Sequence, residues 1–346
     1  MTRAFAAFLA FALTTNALAA QSAPLEVVAT TTDLGALASA VGGERVRVTV
    51  CAKPGEDPHF LEARPSLVKA MSRADVLLRI GLQLEDAWLP VLTANARNAA
   101  VLTDAAGDVD ASATIVKRNV AEGPVDRSSG DVHPHGNPHY LTDPLCGLAV
   151  ARVLRDRFTR LRPADADAFE RGYTTLRRTL GEALVGARIA ALYDFETLIL
   201  LHEKGELKSF LDAQGDLDAL GGLFADLVAI GPIDAVADHD LWPYFAARFG
   251  LRIHAHFEPK PGIPPTTRHL ADVVATMKAH DVRVILSAPY FPPAHARFVA
   301  NATGAGVAAL AHQTGARDGC TDYVATVAHN VRAVLAAHRA AAPRRK

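Results

Sequence analysis

Residues 25–50, LEVVATTTDLGALASAVGGERVRVTV, hold two β-rich apolar runs on either side of a helical stretch. The first run, Leu25 to Thr31, reads as a strand. Leu34, Leu37 and Val41 recur at helical spacing until Gly42-Gly43 stops the pattern, and Val46 to Val50 reads as a second strand. Strand, helix and strand in so short a span define a βαβ unit and a parallel sheet. The pattern extends outward through a Pro/Gly loop, a helix from Pro65 to about Ser72 and a strand from Val76 to Ile80. Between Val116 and Pro138 it lapses into a polar segment with Gly, Pro and Ser, which reads as a surface loop.

From Ala164 to Leu192 there is no Pro, and Phe169, Tyr173, Leu176, Leu180, Leu184 and Ile189 fall mostly three to five residues apart. This spacing predicts one amphipathic helix of roughly 40 Å, long enough to join two lobes. Beyond it, strands at Leu251–Phe257, Val282–Leu286 and Val307–Leu310 alternate with helices at Thr267–His280, after Pro293 and from Asp322 to about Ala337. The expected fold is therefore α/β, with two lobes, each a mostly parallel sheet flanked by helices, joined by one long rigid helix. The expected boundaries are 21–161 for the N-terminal lobe, 162–192 for the connecting helix and 193–343 for the C-terminal lobe. Such an architecture places a ligand in the cleft between lobes.

Composition excludes several functions. Half of the 346 residues are hydrophobic, and 36 Lys and Arg stand against 37 Asp and Glu, so neither disorder nor a basic nucleic-acid surface is expected. Residues 1–20 carry one charge, Arg3, then an apolar run from Ala4 to Leu13 and a small-residue ending at Ala17-Leu18-Ala19-Ala20. They read as a signal peptide cleaved near Ala19 or Ala20, which implies a periplasmic protein. Without Arg3 and the basic tail 344–346, the body is mildly acidic. Cys51, Cys146 and Cys320 are an odd number outside any C-x-x-C pair, and the sequence assigns no disulfide among them.

The 14 His residues are the unusual feature. Three of them lie in polar, turn-rich settings near expected strand ends: His59 in PGEDPH, His139 in HGNPHY and His239 in DHDLW. Neutral imidazoles from separated loops are good ligands for zinc, copper or nickel, and Asp57 and Asp238 are placed to accept the second ring N–H. Taken singly, each reads first as an ordinary surface His, and spacing alone does not bring them together.

Six ordered stretches add to this reading: VVATTTDLGALASAVGGERV, PGEDPHFLEARPS, ADVLLRIGLQLEDAWL, GNPHYLTDP, HDLWPYFAARFGL and EPKPGIPPT. From Val27 to about Asn330 the chain resembles the metal-binding substrate-binding proteins of ABC importers, the cluster A-I receptors for zinc and manganese. The resemblance implies two α/β lobes joined by a rigid helix, with His59, His139 and His239 as metal ligands. It also implies a fourth ligand from the loop after the last strand, where the family commonly has a carboxylate. Aligning Gly315 with the family's glycine puts His312 there; shifting the gap makes it Asp318, and water remains an alternative. His133 and His135 correspond to a His-rich loop of the family's zinc receptors, which implies an accessory site; the alternative is a short loop with two incidental His. The implied cargo is Zn2+, because imidazole-rich donor sets favour zinc whereas manganese prefers several carboxylate oxygens. The implied partners are an inner-membrane ABC importer permease and a periplasmic metallochaperone, with no nucleic acid and a monomeric state. Alternatives are a manganese or iron receptor, an adhesin on the same fold, or a zinc hydrolase, for which no H-E-x-x-H motif is present. The stretch Glu258 to Pro265 reads as a stiff connection or as a wall of the cleft mouth.

Overall fold

A computed structural model describes residues 23–121, 123, 133–260 and 262–341. The proposed signal peptide and basic tail lie outside the described residues. The N-terminal lobe contains β1 (Leu25–Ala29), α1 (Thr32–Gly42), β2 (Val46–Val50), α2 (Pro65–Met71), β3 (Val76–Arg79), α3 (Leu89–Ala96), β4 (Asp108–Asp110) and α4 (Pro144–Leu161). Next come α5 (Ala166–Val185), α6 (Ala187–Leu192), α7 (Phe195–Glu203), α8 (Leu207–Gln214) and α9 (Gly222–Ile230). The C-terminal lobe continues with β5 (Ile233–Ala237), α10 (Pro243–Phe249), β6 (Leu251–His256), α11 (Thr267–Ala279), β7 (Val284–Ser287), α12 (Pro293–Thr303), β8 (Gly306–Ala309) and α13 (Tyr323–Ala340).

Both sheets are wholly parallel, in the orders β2-β1-β3-β4 and β6-β5-β7-β8. Each chain path reverses direction beside its first strand, so each sheet has a crevice at the carboxyl ends of its strands, where α/β folds bind ligands. Val27, Ala29, Val76 and Leu78 in one lobe, and Val284 and Leu286 in the other, lie on strands expected from the sequence and are buried; Ala235 and Ala237 are buried on β5, a strand not expected from the sequence.

The connecting helix is shorter than expected. Helix α5 spans 20 residues, about 30 Å, and the chain breaks at Gly186 before α6. The cause is local: Gly186 takes φ +82°, and a Cβ there would lie 2.9 Å from the Cα of Gly221. Glycine alone allows that conformation and that backbone approach. Helix α5 still joins the lobes, packing on α1 and α4 on one side and on α9 and α13 on the other. All three cysteines are free thiols, and no helix among the described residues is long and apolar enough to cross a membrane.

Candidate metal centre

The sequence places His59 beyond β2, His139 just before α4, His239 two residues past β5 and His312 three residues past β8. The fold brings the first three together. The ring centroids of His59 and His139 are 5.3 Å apart, and those of His139 and His239 are 6.1 Å apart. His133, expected as an accessory, belongs to the same cluster: its ring stacks on His59 at 5.2 Å, with the two Nε2 atoms 3.1 Å apart. His135 is exposed.

Two of these rings are held by carboxylates. The backbone N–H and ring Nδ1–H of His59 both donate to Asp57 Oδ1, at 3.0 and 2.6 Å, and so leave the His59 Nε2 lone pair facing the cluster. His239 donates Nδ1–H to Glu258 Oε2 at 2.6 Å, so its Nε2 carries the lone pair of the neutral ring. Fixing one nitrogen as donor so that the other can ligate is the usual second layer of a metal-binding His. The expectation for Asp57 is met. Asp238, by contrast, turns away from the His239 ring and accepts the backbone N–H groups of His239 and Ala288. Its task falls to Glu258, which the sequence reading treated as part of a stiff loop. Glu258 is distant in sequence, and only the pairing of β5 with β6 carries it to His239.

Electrostatics separates the rings. Burial, reinforced by His59, His239, His133 and His312, lowers the His139 pKa well below its ordinary value. Burial also disfavours the charged form of His239, but the hydrogen bond and charge of Glu258 outweigh it and raise that pKa. Burial alone would push the Asp57 carboxyl up; its bonds to His59 leave it lowered instead.

His312 stands beside this cluster. Its Nε2–H donates to the Glu56 carbonyl at 3.0 Å, and burial lowers its pKa to about 4. Its buried Nδ1 has no hydrogen-bond partner, so a lone pair remains there. His139, His312, Thr31, Asp33, Pro58 and Gln313 help line an interlobe cavity of about 30 Å3. That volume suits a water or an ion. Asp318, the alternative fourth donor, is exposed and does not line the cavity. Among the described residues no group of three or more His, Cys, Asp and Glu side chains is spaced to hold a metal ion as it stands.

A pair of parallel α/β lobes with imidazoles gathered at the cleft between them is the architecture of a binding protein. The profile of the family "Zinc-uptake complex component A periplasmic" matches residues 27–186 and 208–337, and the chain belongs to that family. Membership makes it the metal-binding receptor of an ABC importer rather than an enzyme. It is 24% identical over 290 residues to the high-affinity zinc uptake system protein ZnuA of Yersinia pestis, covering 80% of this chain and 79% of that one. It is 30% identical over 148 residues to the manganese-binding lipoprotein MntA of Bacillus subtilis, covering 42% and 44%. A ZnuA crystal structure superposes with a TM-score of 0.65 at 19% identity, covering 91% of this chain and 99% of that one. That likeness shows the fold.

Proposed function

We propose that this protein captures Zn2+ in the interlobe cleft on His59, His133, His139 and His239, and delivers it from the periplasm to an inner-membrane ABC importer. The observation that carries the reading is the 3.1 Å separation of the His59 and His133 Nε2 atoms. Two nitrogens bound to one tetrahedral zinc ion at about 2.05 Å lie roughly 3.3 Å apart, so this pair is already close to a ligand spacing. The preference for zinc rests on donor type. The carboxylates of Asp57 and Glu258 bond to ring N–H groups and serve as outer partners, leaving imidazoles to face the ion. His133 takes the fourth position, and His312 Nδ1, buried without a hydrogen-bond partner, is the alternative donor for it.

Competition titration of metal-free protein tests the assignment. Wild type should bind one zinc ion far more tightly than manganese. His59→Ala, His139→Ala and His239→Ala should each weaken zinc binding by more than the roughly 10–100-fold typical of outer-partner changes, with His133→Ala next and His312→Ala least. Zinc at a thousand times Kd should stabilise the fold by about 4 kcal/mol. Tight 1:1 zinc binding that survived all of the substitutions would overturn the assignment.

A further inference from the structure

The loop after β8 engages the opposite lobe more extensively than a metal donor alone requires. Its base is fixed to its own lobe: Asn330, buried on α13, accepts the Ala311 N–H at 2.7 Å and donates to the Ala311 carbonyl at 2.8 Å. From this anchor Gln313 and Thr314 reach across the cleft. The Gln313 amide donates to the carbonyls of Lys53, Pro54 and Glu56 at 3.0, 3.2 and 3.3 Å, and its oxygen accepts the Thr32 N–H at 3.3 Å. Thr314 donates both its N–H and its hydroxyl to Asp33 Oδ1, at 2.7 and 2.6 Å, and its carbonyl accepts the Thr32 hydroxyl at 2.6 Å. Gln313 and Thr314 are buried.

The surface they grip matters. Glu56, whose carbonyl receives both Gln313 and His312, immediately precedes Asp57, the residue that holds the His59 ring. We infer that Gln313-Thr314 is an interlobe latch, with Gln313 as a positioning residue that ties lobe closure to the geometry of the His59 loop and so retains the bound ion. The inference rests on the receptor reading above. Opening the cleft for release requires these bonds to part. Closing it makes one amide side chain read three backbone carbonyls, of Lys53, Pro54 and Glu56, in the loop that carries the ligand, which only a correctly seated loop presents. A smaller or apolar residue at 313 leaves those carbonyls unpaired on closure, a cost borne by the closed form alone.

Stopped-flow zinc release, read together with zinc association and with hydrogen exchange of the metal-free protein, tests the latch. Gln313→Ala should speed zinc dissociation by about 10-fold or more, as expected for losing several modest hydrogen bonds, while association stays within about twofold. Gln313→Glu should be faster still, since a carboxylate would face the three carbonyls. In metal-free Gln313→Ala, amides at 53–57 and 314–315 should exchange faster than in wild type, while those of the sheet strands stay unchanged. That pattern separates a latch from general loss of stability. Unchanged dissociation together with unchanged exchange at 53–57 would overturn the latch. The exchange measurement needs no metal, so a wild type that bound no zinc would defeat the receptor reading while leaving the latch open to its own test.

Discussion

The two lobes share one strand order, yet each steadies its histidine in a different way. In the N-terminal lobe the second strand runs into PGEDPH, where Asp57 holds His59 two residues away. In the C-terminal lobe the second strand runs into the loop carrying Glu258, which holds His239, nineteen residues earlier in the chain. The chemistry is the same, a carboxylate on Nδ1 at 2.6 Å, but one pair is built by a local turn and the other by strand pairing. The N-terminal pair should therefore depend mainly on its own loop, and the C-terminal pair on the integrity of the β5–β6 sheet edge and the loop after it. Glu258 strengthens that link by also accepting the Gly262 N–H at 2.8 Å.

The harshest way to break the comparison is to uncouple the lobes. Arg248 on α10 donates from Nε and Nη2 to the two oxygens of Asp143, both at 2.8 Å, and Asp143 caps α4 just after His139. The side chains are 7% and 3% exposed, which makes this a buried, bidentate pair. It binds the segment that follows His139 to the helix that follows His239. Arg248→Met leaves a buried carboxylate without its partner and should cost about 3–5 kcal/mol in urea unfolding. Adding Asp143→Asn should recover part of that loss, and a loss below about 1 kcal/mol in the single variant would show that the pair is not what joins the segments.

A gentler test separates the two carboxylate–histidine pairs. Asp57→Asn and Glu258→Gln should each weaken zinc binding by about 10–100-fold, the usual effect of removing an outer partner. Glu258→Gln should lie toward the upper end, because it also disturbs the bond to Gly262. Asp57→Asn should leave hydrogen exchange in the 258–263 loop unchanged. Equal and negligible losses in isothermal titration would mean that neither carboxylate orients its ring.

The same contrast explains what could be read from the chain. Alternation of strands and helices in residues 25–80 is a local signal and specified the parallel sheet. Asp57 was legible as a partner because two residues separate it from His59. Glu258 was not, since nothing in EPKPGIPP reports which strand lies beside β6. The end of the connecting helix was misplaced because apolar spacing continues through Ile189, whereas the break comes from Gly186 meeting Gly221, a contact between distant residues. Helix α4 offered a readable signal in the Asp143 cap, Pro144 at the first turn, and Leu148, Ala151, Leu154 and Phe158 on one buried face. His133 stood out beside His135 as part of a His-rich stretch, but its place against His59 is a contact between residues 74 apart that no local pattern reports.

The pH dependence is the most diagnostic readout, because the buried histidines give opposite signs, even within the C-terminal lobe, where His239 is raised and His312 lowered. His139 has a depressed pKa: burial, then its imidazole neighbours, favours the neutral ring. His312 behaves likewise, falling to about 4 through burial. Between that value and the unfolded value near 6.5, the unfolded chain binds more protons than the folded one. Stability from these two rings is therefore fully present above about pH 6.5 and is lost as pH falls. His239 runs the other way, because the bond and charge of Glu258 outweigh burial. Its contribution is fully present below about pH 6.5 and is lost as pH rises through its folded pKa. Imidazole NMR titration of the metal-free protein should show His239 protonating above 6.5 while His139 stays neutral well below it. His312→Gln should flatten the pH dependence of stability between about 4 and 6.5 by roughly 2–3 kcal/mol. Glu258→Gln should lower the His239 titration, since burial would then be opposed only by the weaker charges of Asp238 and Asp240; a His239 that titrated as high as in wild type would place the source of its raised pKa somewhere other than Glu258.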